Sequence, residues 1–152
     1  MNWLTKSFSQ LTTNELYDFL KMRIDVFVVE QACYYSDLDD LDRHPEVRHI
    51  FCYEDDKMLA YCRILPPGLV YDQESAIGRV IVSELARGRK LGYNLMEIAN
   101  QQVDQLWPHH DCHISAQEHL KSFYQNLGFE QITEMYLEDN IPHIGMLRKQ
   151  KG

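Results

Sequence analysis

Residues 78–96, GRVIVSELARGRKLGYNLM, decide how the rest of the chain is read. An apolar strand over residues 75–83 passes through a short turn into a helix with Leu91, Leu95, Ile98, Ala99, Gln102 and Leu106 on one side. The turn holds Arg87, Gly88, Arg89, Lys90, Leu91 and Gly92. Free N–H groups at a helix start point outward with partial positive charge, and glycine lets a ligand come close to the backbone. Arg79, Arg87, Arg89 and Lys90 put four of the chain's 15 Lys and Arg into one short segment. Such a place suits an anion, a pyrophosphate above all. The Gly-Lys-Ser/Thr ending of a P-loop is missing and so is GxGxxG, so triphosphatase and Rossmann readings fall away. The plain alternative is a basic, solvated helix start.

Before this stretch, residues 2–8 suit a short strand. Thr12 with Glu15 forms a capping box opening a helix whose apolar stripe is Leu16, Leu20, Ile24 and Phe27 and which ends near Glu30. Residues 33–46 carry Asp37, Asp39, Asp40, Asp42 and Pro45, most simply a loop with a solvated acidic face. Residues 47–65 read as an antiparallel hairpin, stopped by Pro66, Pro67 and Gly68. After Pro108 come a buried strand from His113 to Ala116, a short helix over 118–127 with Leu120, Phe123 and Leu127 inward, and strands over 129–137 and 142–148. The order β, α, β, β, β, α, β, α, β, β predicts an α/β (α+β) fold. Its sheet is largely antiparallel, with one parallel pair where the helices cross over.

The chain has 152 residues, 45% hydrophobic and 25% charged, which suits one globular domain over 1–152. Fifteen Lys and Arg against 23 Asp and Glu give a formal charge of -8, which disfavours nucleic acid and anionic membranes as partners. The opening MNWLTKSF lacks a basic flank with an apolar core, and no run is long enough to span a bilayer, so a cytoplasmic location is expected. Cys33, Cys52, Cys62 and Cys112 fit neither a CxxC motif nor a common zinc spacing, and read as buried thiols. The seven histidines form no metal pattern either, and His109 and His110 suit a surface turn.

The strand VIV, the turn, RGRKLG and the following helix resemble the acyl-CoA-binding motif of the GNAT superfamily of acetyltransferases, usually R/Q-x-x-G-x-G/A. Downstream, HISAQEHLKSFYQNLGF resembles that superfamily's next motif, with Phe123, Tyr124, Gly128 and Phe129 matching F-Y-x-x-x-G-F position by position. Within the superfamily, Arg23, Val26 to Val28, Glu30 and Gln31 in RIDVFVVEQ, GRVIVS at 78–83 and IPHIGM at 141–146 are similar to the ElaA-like group. One departure is Lys90, which stands where the usual motif has its central glycine. Contacts at Gly88 and Gly92 therefore weigh more, and the Lys90 ammonium can reach a phosphate instead.

The resemblance implies a GNAT-like mixed sheet with helices on both faces. It also implies acetyl-CoA as cosubstrate with no metal, bound by Val80, Ile81, Val82, Arg87, Gly88, Arg89, Lys90, Leu91, Gly92, Gln117, Phe123 and Tyr124. It further implies that the strand carrying Ile81 and Val82 splays from its neighbour at a bulge, where backbone N–H groups bind the pantetheine and the thioester oxygen. Tyr124 is the general-acid candidate, because a phenol of pKa near 10 can protonate a departing thiolate while staying neutral itself. A core tyrosine packed beside Phe123 is the alternative. The base candidates are Glu30, His143 and Glu118. Arg23 and Arg63 interrupt apolar runs and suit either an acceptor carboxylate or an internal ion pair.

The leading expectation is acetyl transfer to a primary amine of a small molecule or peptide by direct attack, in a monomer or homodimer. A non-catalytic acyl-CoA sensor and an interaction domain using the acidic 37–42 loop are the other readings.

Overall fold

The computed structural model describes residues 1–31 and 36–150. Its strands are β1 (Asn2–Lys6), β2 (Arg48–Glu54), β3 (Lys57–Leu65), β4 (Ser75–Val82), β5 (Cys112–Gln117), β6 (Glu130–Gln131), β7 (Tyr136–Glu138) and β8 (Ile141–Arg148). The helices are α1 (Thr13–Arg23), α2 (Leu91–Leu106) and α3 (Lys121–Gln125). One sheet runs β1-β2-β3-β4-β5-β8-β6, with β7 also paired to β8. Every pairing is antiparallel except β4 with β5. The mixed, largely antiparallel sheet expected from the element order is thus present.

Alternation along the central strands fills both faces. Ile50 and Cys52 of β2, with Ala60, Cys62 and Ile64 of β3, pack with Leu91, Leu95, Met96, Ala99 and Val103 of α2. Phe51 and Tyr61, one step out of phase, face Phe19 of α1 on the other side. Helix α1 starts at the expected capping box: Glu15 N–H donates to Thr12 Oγ1 at 3.1 Å, and Thr12 N–H to Glu15 Oε1 at 2.8 Å. It then widens into a π-helix, Ile24–Glu30, closed by Gln31 N–H donating to Val26 C=O at 3.1 Å.

Four expectations need correction. On the first helix Leu16, Leu20 and Phe27 of the expected stripe do pack, half-buried, against the Phe19 cluster, but Ile24 is exposed and the buried residues of α1 are Glu15, Phe19 and Arg23. On α2, Met96 and Val103 are buried where Leu106 is exposed, and Leu120 is exposed on the turn before α3. The single strand expected over 129–137 is broken. Ile132 N–H still donates to Gly145 C=O at 2.9 Å, but at Thr133 the side chain takes over and its Oγ1 accepts from Gly145 N–H at 2.8 Å. A Cβ on Gly145 would sit 2.8 Å from Thr133 Cγ2, so the crossing requires glycine.

The fourth correction concerns the acidic loop. Asp37 and Asp42 are buried, beneath a set of guanidiniums. Arg23, itself fully buried, places Nε 2.9 Å from Asp37 Oδ2 and donates from Nη1 to Asp42 Oδ1 at 2.8 Å. Arg63 donates to Asp39 and Asp42, and Arg79 to Asp37. A carboxylate leaves water only when its charge is matched, so the run is a strap tying the loop to α1, β3 and β4. Arg23 and Arg63 thereby resolve as partners in internal ion pairs.

Candidate active site

Strand β4 is irregular on both edges. Against β3, Tyr61 faces Ile81 but Arg63 faces Gly78, so β4 carries an extra residue there, and Arg79 sits in the left-handed region at φ 53°. Against β5 only Ser75 and Ala76 are paired, with Cys112 and His113. Beyond them the two parallel strands separate. The bulge and splay expected from the resemblance are both present. The opening is a cavity of about 290 Å³ whose walls include Gly78, Arg79 and Val80 of β4 and Ser115 and Gln117 of β5.

Tyr124 and His143 line this same cavity. Tyr124 is 7% exposed, its ring meets Phe123 and Phe129 edge-on, and among the described residues its hydroxyl has no hydrogen-bond partner. Burial pushes its pKa up, which keeps the phenol protonated. His143 Nδ1 lies 2.7 Å from Ile141 C=O, so in the neutral ring Nδ1–H donates there and the lone pair sits on Nε2. That Nε2 is 3.4 Å from Glu138 Oε2. Ser115 Oγ donates to Glu138 Oε1 at 3.1 Å and shares a 2.6 Å hydrogen bond with Tyr136 Oη. The Ser115, Tyr136 and Glu138 cluster was not foreseen. Adjacent Asp and Asn at 139 and 140, both at positive φ, signal the β7–β8 turn, but nothing in the sequence sets Ser115 opposite it.

The anion-type loop stands beside the opening. Ser83 begins a 3-10 turn, Gly88 adopts φ 89°, and Lys90 is left-handed at φ 59° as the residue before α2. A central glycine would hold that conformation without strain; here lysine does. No side chain caps the helix, which leaves the first-turn N–H groups of Leu91, Gly92 and Tyr93 facing outward. Gly92 packs near Val82 and Phe123, with room for an added Cβ at 3.5 Å or more. Three of the four basic side chains are already engaged: Arg79 with Asp37, Arg87 with Glu30 and Arg89 with Glu54. Lys90 is exposed and forms no ion pair with the described residues.

The structure thus gathers Tyr124, His143, Gln117 and Val80 around one cavity. Phe123 and Val82 sit against Gly92, and Ile81 is buried on the α1 side. Glu30 does not line the cavity; it follows the π-helix beside Gln31, which does, with both oxygens held by Arg87. Glu118 is exposed at the end of β5. Burial raises the thiols of Cys52, Cys62 and Cys112, the last to about 12, so none of the three is a ready nucleophile. Cys33 lies outside the described residues. Among the described residues no three His, Cys, Asp or Glu are grouped to hold a metal, and no helix is long and apolar enough to cross a membrane.

A strand pair parted beside an uncapped helix start matches a known family at sequence level too, for the acetyltransferase (GNAT) domain model matches residues 16–149. The chain belongs to the GNAT acetyltransferase family. Protein ElaA of Escherichia coli is 44% identical over 150 residues, covering 98% of this chain and 97% of that protein. Among solved structures, an acyl-CoA N-acyltransferase from Pseudomonas aeruginosa superposes with a TM-score of 0.92 at 44% identity, covering 98% and 100% of the two chains. The crystal structure of Escherichia coli ElaA does so with a TM-score of 0.92 at 43% identity over the same shares. The GNAT chain described here is therefore ElaA-like along nearly its whole length.

Proposed function

We propose that this GNAT chain is a single-domain, cytoplasmic, acetyl-CoA-dependent N-acetyltransferase. It carries an acetyl group to a primary amine of a small molecule or peptide by direct attack in a ternary complex. The observation that supports this best is Tyr124, a buried residue whose hydroxyl has no partner among the described residues, on the cavity opened by the β4–β5 splay. A sensor that only bound acyl-CoA has no need of an unsatisfied phenol there.

The residues fit the cofactor. The N–H groups of Leu91, Gly92 and Tyr93, with Gly88 and the side chains of Arg87, Arg89 and Lys90 around them, suit a diphosphate. Backbone groups of Val80, Ile81 and Val82 on one side, and Gln117 and Phe123 on the other, suit the pantetheine arm. Acetyl-CoA, when bound, supplies a thioester whose carbonyl carbon is open to attack. Holding the amine in the same cavity makes that attack effectively intramolecular. The ammonium must first lose a proton, at a cost of roughly 4 kcal/mol near neutral pH for a pKa of about 10.4. His143 takes that proton on Nε2, where the Nδ1–H bond to Ile141 leaves the lone pair, and the Glu138 carboxylate beside it stabilises the imidazolium that forms. As the new C–N bond forms and the C–S bond breaks, Tyr124 gives its proton to the departing sulfur and regains one from solvent. Glu30 acts through Arg87, holding the guanidinium at the loop until a phosphate competes for it.

The deciding experiment measures thiol release from acetyl-CoA across a panel of amines and peptides, with a no-acceptor control. Acceptor-dependent release supports the reading. Tight CoA binding without turnover on any acceptor would make the chain a sensor.

A further inference from the structure

The cavity walls carry charge asymmetrically. Arg63 and Arg79, the guanidiniums able to greet an acceptor carboxylate, both line the cavity. Both are spent. Arg63 donates to Asp39 Oδ1 at 2.9 Å, Asp39 Oδ2 at 2.5 Å and Asp42 Oδ1 at 3.0 Å. Arg79 donates to Asp37 Oδ1 at 3.0 Å and to Asp37 C=O at 3.1 Å. A carboxylate entering from solvent would have to displace an aspartate of the strap, leaving a buried charge unmatched.

Glu138, another residue lining the cavity, is held but not neutralised. Ser115 donates to one of its oxygens, His143 stands beside the other, and no Lys or Arg of the described residues pairs with it. Its side chain is half exposed, so a charge can reach it from solvent. Tyr124, a residue more than nine-tenths buried whose hydroxyl has no hydrogen-bond partner among the described residues, lines the same cavity and marks where the reacting bond belongs. A carboxylate touching an amine stabilises its ammonium form and so slows attack by that nitrogen. Glu138 is therefore suited to a positive charge that stays, while a second nitrogen reacts near Tyr124.

Resting on the acetyltransferase reading, we propose that the acceptor is a small amine bearing at least two cationic nitrogens and no carboxylate, its non-reacting ammonium seated on Glu138. Leu65, Val70 and Tyr71 offer apolar surface to the methylenes between the nitrogens.

The test compares three acceptors sharing one carbon chain: 1,5-diaminopentane, L-lysine, which adds a carboxylate, and n-pentylamine, which lacks the second cation. CoA affinity of the same full-length protein is measured by calorimetry. The diamine is expected to exceed each of the others by about tenfold in kcat/KM. Glu138→Gln should raise KM for the diamine about tenfold while leaving KM for n-pentylamine, the melting temperature and CoA affinity unchanged; any change in kcat through the neighbouring His143 is shared by both acceptors, and Glu138→Asp recovers part of the KM loss. Lysine or pentylamine used as well as the diamine, or Glu138→Gln without effect on KM, overturns the proposal while acetyl transfer stands. The same holds if the CoA complex neither binds nor acetylates the diamine. Failure of the wild type to bind CoA at all overturns the acetyltransferase reading and this one with it.

Discussion

Arg87 and Glu30 meet as a two-pronged ion pair, Nη1 to Oε1 at 3.0 Å and Nη2 to Oε2 at 3.1 Å, joining the loop before α2 to the end of the π-helix. Both side chains are more than two-fifths exposed, so the pair adds little to stability. Its effect falls on the ligand, because the same guanidinium faces a choice between Glu30 and a phosphate. Glu30→Gln is expected to tighten CoA by up to about fivefold, roughly 1 kcal/mol, with the melting temperature nearly unchanged. Calorimetry and thermal melts read this directly, and a hundredfold loss of kcat in the same variant would instead make Glu30 the base.

Tyr124→Phe removes one oxygen from a ring that stays packed against Phe123 and Phe129. General-acid catalysis is typically worth about 10² to 10⁴-fold, so kcat should fall by that order while CoA affinity holds. Full kcat under conditions where chemistry limits turnover would hand the proton donation to solvent.

The loop before α2 should bind its anion through backbone more than side chain. Gly88 holds φ 89°, a conformation that valine resists, and Gly92→Pro deletes one of the outward N–H groups. Each change should weaken CoA binding at least tenfold, whereas Arg89→Ala, which loses an exposed pair with Glu54, should cost about threefold or less. Gly92→Ala is the control, since its Cβ has room. Equal effects throughout would move the anion elsewhere.

Arg23→Met deletes the cation between Asp37 and Asp42. Breaking a buried pair from one side strands the other charge, so a loss of about 3–5 kcal/mol in urea unfolding is expected. A loss below about 1 kcal/mol would mean that water or Arg63 takes over.

Acid should destabilise the fold in two stages. Burial holds the pKa of His49 and of His113 below the ordinary histidine value. As pH falls below about 6.5, the unfolded chain therefore binds protons that the folded chain refuses, and stability drops. For Asp39, burial pulls upward but is outweighed by the hydrogen bond and charge of Arg63 and the charge of Arg79, which bring it to about 2. Asp42 is lowered in the same way, against its burial, by Arg23 and Arg63. Their contribution is complete above an unfolded value of about 3.9 and is lost as pH falls toward 2. Unfolding free energy measured from pH 8 to 2 should show both declines, and His49→Gln should shrink only the first.

Sequence patterns exposed those parts of the molecule that obey short-range rules. The Thr12–Glu15 capping box, the hairpin turning at Asp55 and Asp56, and the strand-to-helix passage through Arg87 to Gly92 are all local, and all lie where the residues indicated. What escaped was pairing across distance. Four aspartates between 37 and 42 look solvated until Arg23, Arg63 and Arg79 are brought over Asp37, Asp39 and Asp42 from three other elements. The hint was available in two arginines breaking apolar runs. Similarly, His143 reads as a lone histidine, because Glu138 becomes its neighbour only when β7 folds back on β8.

Only two residue pairs join β4 to β5. The middle of the sheet therefore contains an edge, although both strands are interior in the order. Exposed edges invite other chains to add on, and proteins usually blunt them with charge, proline or short length. Here the protection is spatial. Strand β3 occupies the far side of β4 and β8 that of β5, so a flat foreign strand cannot slide in, while a slender chain with amide groups can enter endwise. The ladder that these strands forgo is thus kept open for a guest and closed to aggregation, at the one place in the sheet where both are decided by width.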